Sequence, residues 1–516
     1  MSALPPNPDY SRQTQIDILA RGDAFDMAVV GGGATGVGIA LDAASRGFRV
    51  ALCERYDFGK GTSSRSTKLV HGGVRYLQQG NVSLVREALH ERGLLLKNAP
   101  QLVYPLPTIV PVYATWEVPY YWSGLKTYDL LAGSLNIGRS GYLSPSATRA
   151  ALPTIKTSGL KGGIRYFDAG FDDTRLLVSM VETAIDEGAI CVNYMNVDRL
   201  QHIDDRVSGL VARDTLSGVE YEVSARVVVN ATGPFSDHLR QLDDSSRKAR
   251  IQPSQGTHIV LDRRFLPGDS AMIVPKTSDG RVIFAIPWNG ATLVGTTDTP
   301  LESTPIEPVP QEEEIDFLIT TVSDYLSENP TRGDIRSIFA GIRPLVASGE
   351  ETTSKLARDH VIEVTESGMI SVMGGKWTTY RRMAQDAVDR AIEVAGLPKL
   401  ACRTESLALR PQDKQAISDL AHHDPTLAEP LDPSLPYSAG EALWAIRNEM
   451  AVTVEDVLAR RTRALLLNAA AARRAAPRVA KMIASEFGFD DAWIASQLEE
   501  FNELVELHLP QASAQG

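Results

Sequence analysis

The stretch from Phe25 to Glu54, FDMAVVGGGATGVGIALDAASRGFRVALCE, constrains the fold more than any other part of the chain. Phe25 to Val30 is a short apolar run that reads as a buried strand, and Gly31, Gly33 and Gly36 then spell G-x-G-x-x-G. From Ala34 to Arg46, Val37, Leu41 and Ala44 recur at helical spacing, and Gly47 follows as a helix-ending residue. A second strand, Arg49 to Cys53, ends at Glu54, about 20 residues beyond the last glycine, where a ribose-binding acid is expected. Gly31 permits the tight turn, Gly33 lets backbone approach a pyrophosphate, and Gly36 lets helix and strand pack closely. The helix N-terminus offers free N–H groups and a positive dipole end to the phosphates. A lone glycine triplet is a weak signal. With strand, helix, second strand and acid all in place, it reads as a dinucleotide site, without choosing between NAD and FAD.

At 516 residues the chain has room for two or three domains. Apolar residues make up 43% and charged residues 22%, ordinary for a globular protein with a sizeable core. The net charge of −12 argues against general nucleic-acid binding while leaving room for a local basic pocket. Cys53, Cys191 and Cys402 are widely spaced and form no metal-ligand pattern, so no metal and a reduced, cytoplasmic setting are expected. Residues 1–22 are polar and lack the apolar core of a signal peptide. No run approaches the ~20 apolar residues that span a bilayer, which leaves attachment to a membrane face open.

After Glu54, the segment Asp57 to Leu77 is dense in Gly, Ser and Thr, and a loop this long in a compact domain is usually functional. Ser83 to Asn98 reads as a helix. Tyr113 to Leu131 carries Trp116, Tyr120, Tyr121, Trp122 and Tyr128, a cluster suited either to a membrane or partner interface or to an ordinary core. Gly162 to Gly188 reads as a strand leading into a helix whose first turn is acidic at Asp172 and Asp173, which suits the helix dipole. Val197 to Val223 reads as a hairpin, and Ala225 to Gly233 as a buried strand ending in a tight turn. Ile251 to Thr299 is strand-rich and reads as an antiparallel sheet. Ser371 to Gly396 is strand, glycine turn and helix, with Thr378 and Thr379 placed to cap that helix. Beyond a proline-rich excursion at Asp424 to Tyr437 the chain is helical to about His508. Arg460, Arg461, Arg463, Arg473, Arg474, Arg478 and Lys481 crowd together there, as a face for anionic lipid or a solvated helical face.

Several segments resemble a known family, the FAD-dependent glycerol-3-phosphate dehydrogenases. These are TSSRSTKLVHGGVRY at Thr62 to Tyr76, the strand ending in A-T-G at Val227 to Gly233, GTHIV at Gly256 to Val260, IPW at Ile286 to Trp288 and GTTD at Gly295 to Asp298. GIRPL at Gly341 to Leu345, ARDH at Ala357 to His360 and GGKWTTYR at Gly374 to Arg381 follow in the family's order. The resemblance covers about Asp26 to Arg382 and more loosely the helical tail. It implies a Rossmann-like FAD-binding α/β domain of the D-amino-acid oxidase type over residues 24–400. An antiparallel-sheet substrate domain would be interleaved with it, at roughly 100–165 and 250–345, followed by an all-helical C-terminal domain over 401–516. It further implies FAD held by Gly31, Gly33, Gly36, Glu54, Thr62, Ser63, Ser64, Lys68, Leu69, Gly72, Gly73, Ala231, Thr232, Gly233, Gly375, Lys376 and Thr378.

By the same resemblance Arg343 and Arg358 clamp the substrate phosphate, while Arg75, Tyr76 and Lys376 lie near the substrate. Arginine suits that task because its planar fork makes paired, charge-assisted hydrogen bonds. His258 is a candidate proton acceptor, since an imidazole titrates near neutrality; Lys376 or an arginine-held water are alternatives. The helix opened by Thr378 and Thr379 is expected to point its positive end at reduced flavin. The implied reaction is oxidation of glycerol 3-phosphate to dihydroxyacetone phosphate, with electrons passed to a membrane quinone. The enzyme would sit peripherally on an anionic, cytoplasmic membrane face, with a homodimer possible. Alternatives are an oxidase of the same substrate that uses oxygen, an amine or amino-acid oxidase, which the arginine pair disfavours, and a flavin-binding scaffold without turnover. An NAD-linked enzyme would leave the NATG and HGGVRY segments without a purpose.

Overall fold

The computed structural model describes residues 10–78, 80–275, 277, 280–347 and 360–511, with the side chains of Arg75 and Gln78 left out. Two sheets organise it. The first is built on Phe25–Val30, which pairs in parallel with Val50–Cys53 on one side and with Glu220–Asn230 on the other. Val50–Cys53 continues to Ile190–Val192, and Glu220–Asn230 to Ile370–Gly374, both in parallel. His360–Val364 closes the far edge antiparallel. The central strands are apolar along their whole length because both faces are covered. Helices Ala34–Ser45, Asp173–Asp186 and Tyr380–Ala395 pack on one another and on this sheet through Val37, Leu41, Leu177, Val181, Met383 and Ala387.

Among the described residues the second sheet has ten strands. Ile251–Asp262 pairs antiparallel with both Ala291–Gly295 and Ile335–Val346, and Val103–Val112 pairs antiparallel with Gly162–Phe171. One junction departs from the antiparallel expectation, since Val103–Val112 runs parallel to Ala271–Val274. It joins strands contributed by distant parts of the chain, a link that no hairpin turn makes. The helical tail, chiefly Ala439–Asn448, Ala469–Phe487 and Asp491–Glu506, packs its Ala- and Leu-rich face onto this sheet at Val260, Trp288, Leu293 and Phe339.

The basic residues of that tail divide into a buried set and a surface set. Arg460, Arg461 and Arg463 are buried and paired with Asp57, Asp456 and Asp173, while Arg473, Arg474 and Arg478 meet Glu506, Asp432 and Glu429. Arg460, Arg461 and Arg463 are therefore withdrawn from any surface role, while Arg473, Arg474, Arg478 and Lys481 stay at the surface. Asp173 likewise serves more than the helix dipole: Asp172 caps the helix, and Asp173 takes Lys68 and Arg463. The aromatic cluster divides. Tyr128 is 1% exposed, whereas Trp116, Tyr120 and Trp122, on or beside helix Glu117–Ala132, are 60%, 50% and 45% exposed. Among the described residues no helix is long and apolar enough to cross a membrane.

Candidate active site

A cavity of about 1060 Å³ is lined by residues of both sheets. At one end it is lined by Gly31, Gly33, Ala34, Glu54 and the Met195 to Val197 segment, and at the other by His71, Tyr76, His258, Arg343 and Lys376. A volume above the usual range for drug-sized ligands suits a long molecule plus a small second one.

The dinucleotide end is shaped by missing side chains. Gly31 has φ +111°, and a Cβ there would lie 2.6 Å from the Ala231 carbonyl oxygen, so the turns that follow Phe25–Val30 and Glu220–Asn230 meet without clearance. A Cβ on Gly36 would lie 1.9 Å from the Gly31 carbonyl oxygen. Gly36→Ala should therefore push the turn out of shape, and the purified variant is expected to carry little or no FAD by absorbance. Full occupancy would show that the turn can relax. Gly33 is the helix N-cap and has no side chain to satisfy the first turn; Ser63 does so instead, its Oγ accepting from Ala34 N at 2.9 Å. Glu54 Oε2 accepts from Gly32 N, and Oε1 accepts from Tyr56 N at 2.8 Å, which fixes the carboxylate at the cavity wall. Burial raises its pKa.

At the other end, His258 is buried, with its ring stacked on Phe339 at 4.8 Å and its Nε2 2.9 Å from Thr67 Oγ1. Burial, then the positive charges of Lys68 and Arg343, hold its pKa well below 6.5, so the ring is neutral at physiological pH. Arg343 Nη1 donates to Asp298 Oδ1 at 3.1 Å and to the Gln255 carbonyl at 3.2 Å. Its Nη2 donates to the Thr297 carbonyl at 2.9 Å. Lys376 Nζ stands 4.0 Å from the centre of the Tyr76 ring.

Of the residues expected to touch FAD, Gly31, Gly33, Glu54, Thr62, Ser63, Leu69, Gly73, Ala231, Thr232, Gly233, Gly375, Lys376 and Thr378 line the cavity. Four others stand behind its wall. Gly36 packs on Gly31, and Gly72 donates its N–H to Tyr128 Oη at 2.7 Å. Ser64 and Lys68 are buried, with Lys68 Nζ donating to Asp173 Oδ2 at 2.6 Å and to the Ser64 carbonyl at 2.8 Å. An ammonium with a carboxylate so close is consumed by it, which is why Lys68 turns inward. Arg358 lies outside the described residues, as does the side chain of Arg75.

Nor do Thr378 and Thr379 cap the helix as expected. The helix begins at Tyr380, and Thr379, its N-cap, makes no capping hydrogen bond. Thr378 Oγ1 accepts from His71 N at 3.1 Å, and Thr379 Oγ1 donates to the Lys376 carbonyl at 3.3 Å. A short 3₁₀ turn, Trp377–Thr379, intervenes and directs both hydroxyls to nearer backbone. Sequence reasoning singled out neither Thr67, Asp298, Trp377 nor the Met195 to Val197 segment. The first three sit inside quoted motifs, whereas the last carries no local signal.

Residues 26–381 match the family described as FAD dependent oxidoreductase, and residues 412–494 match the C-terminal domain of alpha-glycerophosphate oxidase. The probable mitochondrial glycerol-3-phosphate dehydrogenase of Caenorhabditis elegans is 39% identical across 100% of this chain and 77% of its own length. The human mitochondrial glycerol-3-phosphate dehydrogenase is 41% identical over 95% of this chain and 74% of its own.

The chain belongs to the FAD-dependent glycerol-3-phosphate dehydrogenase family.

The glycerol-3-phosphate dehydrogenase of Bacillus halodurans, solved as a complex with FAD, superposes with a TM-score of 0.78 at 28% identity, covering 98% of this chain and 99% of that one. L-alpha-glycerophosphate oxidase from Mycoplasma pneumoniae shares the fold, with a TM-score of 0.58 at 16% identity over 74% of this chain and 97% of its own. As in the rest of the glycerol-3-phosphate dehydrogenase family, FAD is the cofactor. The cradle made by Gly31, Gly33, the start of helix Ala34–Ser45 and the Ala231 to Gly233 turn fits its pyrophosphate, and the cavity continues far enough for the rest.

Proposed function

We propose that this chain oxidises sn-glycerol 3-phosphate at C2 to dihydroxyacetone phosphate and passes the electrons to a membrane quinone. The observation that carries this reading is the pairing, at one end of a dinucleotide-sized cavity, of two cationic side chains, Arg343 and Lys376, with the buried imidazole of His258. A phosphate dianion calls for the Arg343 guanidinium, with Arg75 and Arg358 assigned to the same end by resemblance. The C2 hydroxyl calls for a group that takes its proton, and a neutral, buried His258 has a lone pair available at every physiological pH. Lys376, held against Tyr76, adds positive charge beside the alkoxide character that develops as the proton leaves. Bound flavin supplies the hydride acceptor at N5. The exposed Trp116, Tyr120 and Trp122 provide aromatic side chains of the kind favoured at a bilayer surface, which supports peripheral attachment to a membrane, and the resemblance assigns the cytoplasmic face.

The test is anaerobic. Adding glycerol 3-phosphate to the purified yellow protein should bleach the oxidised flavin band, while glycerol alone at the same concentration should not. Reoxidation by a soluble quinone analogue, much faster than by oxygen, would support the dehydrogenase. The reverse order would assign an oxidase. A flavin that stays yellow with substrate would remove the reading and bring amine oxidation forward.

A further inference from the structure

We propose that the Thr67 hydroxyl carries the substrate proton to His258, a step that rests on the assignment of His258 as proton acceptor above. Thr67 Oγ1 lies 2.9 Å from His258 Nε2, and both residues line the cavity. The imidazole has little freedom to present that nitrogen elsewhere. His258 sits between Gly295 and Phe339 on the neighbouring strands. Its ring stacks on Phe339 with a 13° interplanar angle, and a Cβ on Gly295 would come within 2.2 Å of Cδ2. A glycine is what lets the ring lie flat there.

Thr67 is fixed just as firmly. The next residue, Lys68, holds φ +61° and anchors its ammonium on Asp173 and the Ser64 carbonyl. Arg463, from the helical tail, donates to Asp173 Oδ1 at 3.0 Å and to the same Ser64 carbonyl at 2.6 Å. The Ser64 to Lys68 loop is thus tied down from two sides by buried charge. Among the described residues, Thr67 Oγ1 hydrogen-bonds only to His258 Nε2.

A hydroxyl can donate one hydrogen bond while accepting another, so Thr67 can give its proton to Nε2 and accept from a substrate hydroxyl at once. As the C2–H bond breaks and the hydride leaves for the cofactor, the substrate O–H proton moves to Thr67 Oγ1. The original Thr67 proton moves to His258 Nε2. The alcohol becomes a ketone, Thr67 ends as it began, and the imidazole ends protonated. The step needs the proton of the neutral ring on Nδ1 at the start, and Nδ1 is buried and makes no hydrogen bond among the described residues, so Nε2 is the ring nitrogen that meets a polar group.

The test compares Thr67→Val, Thr67→Ser, His258→Asn and the Thr67→Val/His258→Asn double variant as holoenzymes. Valine keeps the shape and removes the hydroxyl. Flavin reduction by glycerol 3-phosphate should slow on the order of 10²-fold in Thr67→Val, within the range of a general acid–base contribution. It should stay within a few-fold of wild type in Thr67→Ser. The dissociation constant for 2-phosphoglycolate, a non-oxidisable phosphate read by perturbation of the flavin spectrum, should change less than twofold. On the His258→Asn background, Thr67→Val should add nothing.

Wild-type enzyme in mixed H₂O and D₂O should give a curved proton inventory, since two protons move together. This reading does not depend on any variant folding. Near-wild-type reduction by Thr67→Val, a Thr67→Ser variant as slow as Thr67→Val, or a linear inventory would each overturn the relay while leaving a crippled His258→Asn to stand for the acceptor. A fast His258→Asn would instead remove the acceptor assignment, and the relay with it.

Discussion

Asp57→Ala is expected to destabilise the protein by about 3 kcal/mol or more and to lower its FAD content, although Asp57 does not line the cavity. Asp57 is buried and receives two guanidinium groups from the helical tail. Arg461 binds it through both terminal nitrogens, Nη1 to Oδ2 at 2.6 Å and Nη2 to Oδ1 at 2.8 Å, and Arg460 Nε donates to Oδ2 at 2.6 Å. Asn193 Nδ2 reaches Oδ1 at 3.2 Å. Burial alone would raise the Asp57 pKa, but Arg461 and Arg460 together hold it below the ordinary carboxylate value. Its contribution is therefore present above about pH 4 and is lost as the pH falls through the depressed value. Alanine leaves two buried cations short of a charge. Arg460 keeps Glu455 and Asp456 and Arg461 keeps the Glu449 carbonyl, which places the loss at the lower end of the range for a broken buried pair.

The effect should reach the cofactor because Asp57 follows Glu54 and Tyr56 closely in the chain. Lys60, three residues further on, is held by Glu455 at 2.5 Å and Glu307 at 2.6 Å. Thermal unfolding together with the absorbance ratio of flavin to protein checks both parts. Asp57→Asn, which keeps the shape and one acceptor, should fall between wild type and alanine. A fully flavinylated Asp57→Ala protein with an unchanged midpoint would mean that the tail is not coupled to the cofactor loop.

This network also marks where sequence reasoning stops. Every part of the Gly31 to Glu54 fingerprint lies within one strand–helix–strand unit, so local spacing was enough to read it. Arg460 and Arg461 meet a carboxylate 403 and 404 positions away, and nothing near them in the chain announces it. A run of arginines without visible partners reads as an exposed basic face, and only the fold reveals the opposing acids. His258 shows the same divide at the site. Its motif marked the residue, but its neutrality comes from burial and from Lys68 and Arg343, which arrive on other elements. Thr378 and Thr379 fitted a capping pattern, and the 3₁₀ turn ahead of the helix redirected them. Lys68 fitted a cofactor motif, and the proximity of Asp173 turned it inward.

Arg343→Ala is expected to lower kcat/KM for glycerol 3-phosphate by about two to three orders of magnitude, some 3–4 kcal/mol, mostly through KM. The guanidinium is oriented before any substrate arrives. Gly256 leaves room for it, since a Cβ there would lie 2.5 Å from Nη2. The Gln255 and Thr297 carbonyls and the Asp298 carboxylate fix its plane, and Ser254 in turn donates to Asp298. Behind them Glu314 accepts from Thr257, Thr297 and Thr299 at 2.7, 2.7 and 2.6 Å, locking the loop that carries Asp298. Such preorganisation reduces the ordering cost of gripping a phosphate. Lysine in place of arginine should recover only part of the loss, because a single ammonium cannot reproduce the fork.

Removing Arg343 also leaves Asp298 facing the cavity with its charge less balanced, so some of the loss will be repulsion of the phosphate. Arg343→Ala/Asp298→Asn should recover that part. Glycerol, which has no phosphate, separates recognition from general damage: its slow flavin reduction at high concentration should be nearly the same in wild type and Arg343→Ala. Equal loss toward both compounds would mean that the alanine disturbs the site as a whole. A KM for glycerol 3-phosphate within twofold of wild type would move the phosphate to other cations, with Lys376 the first to substitute.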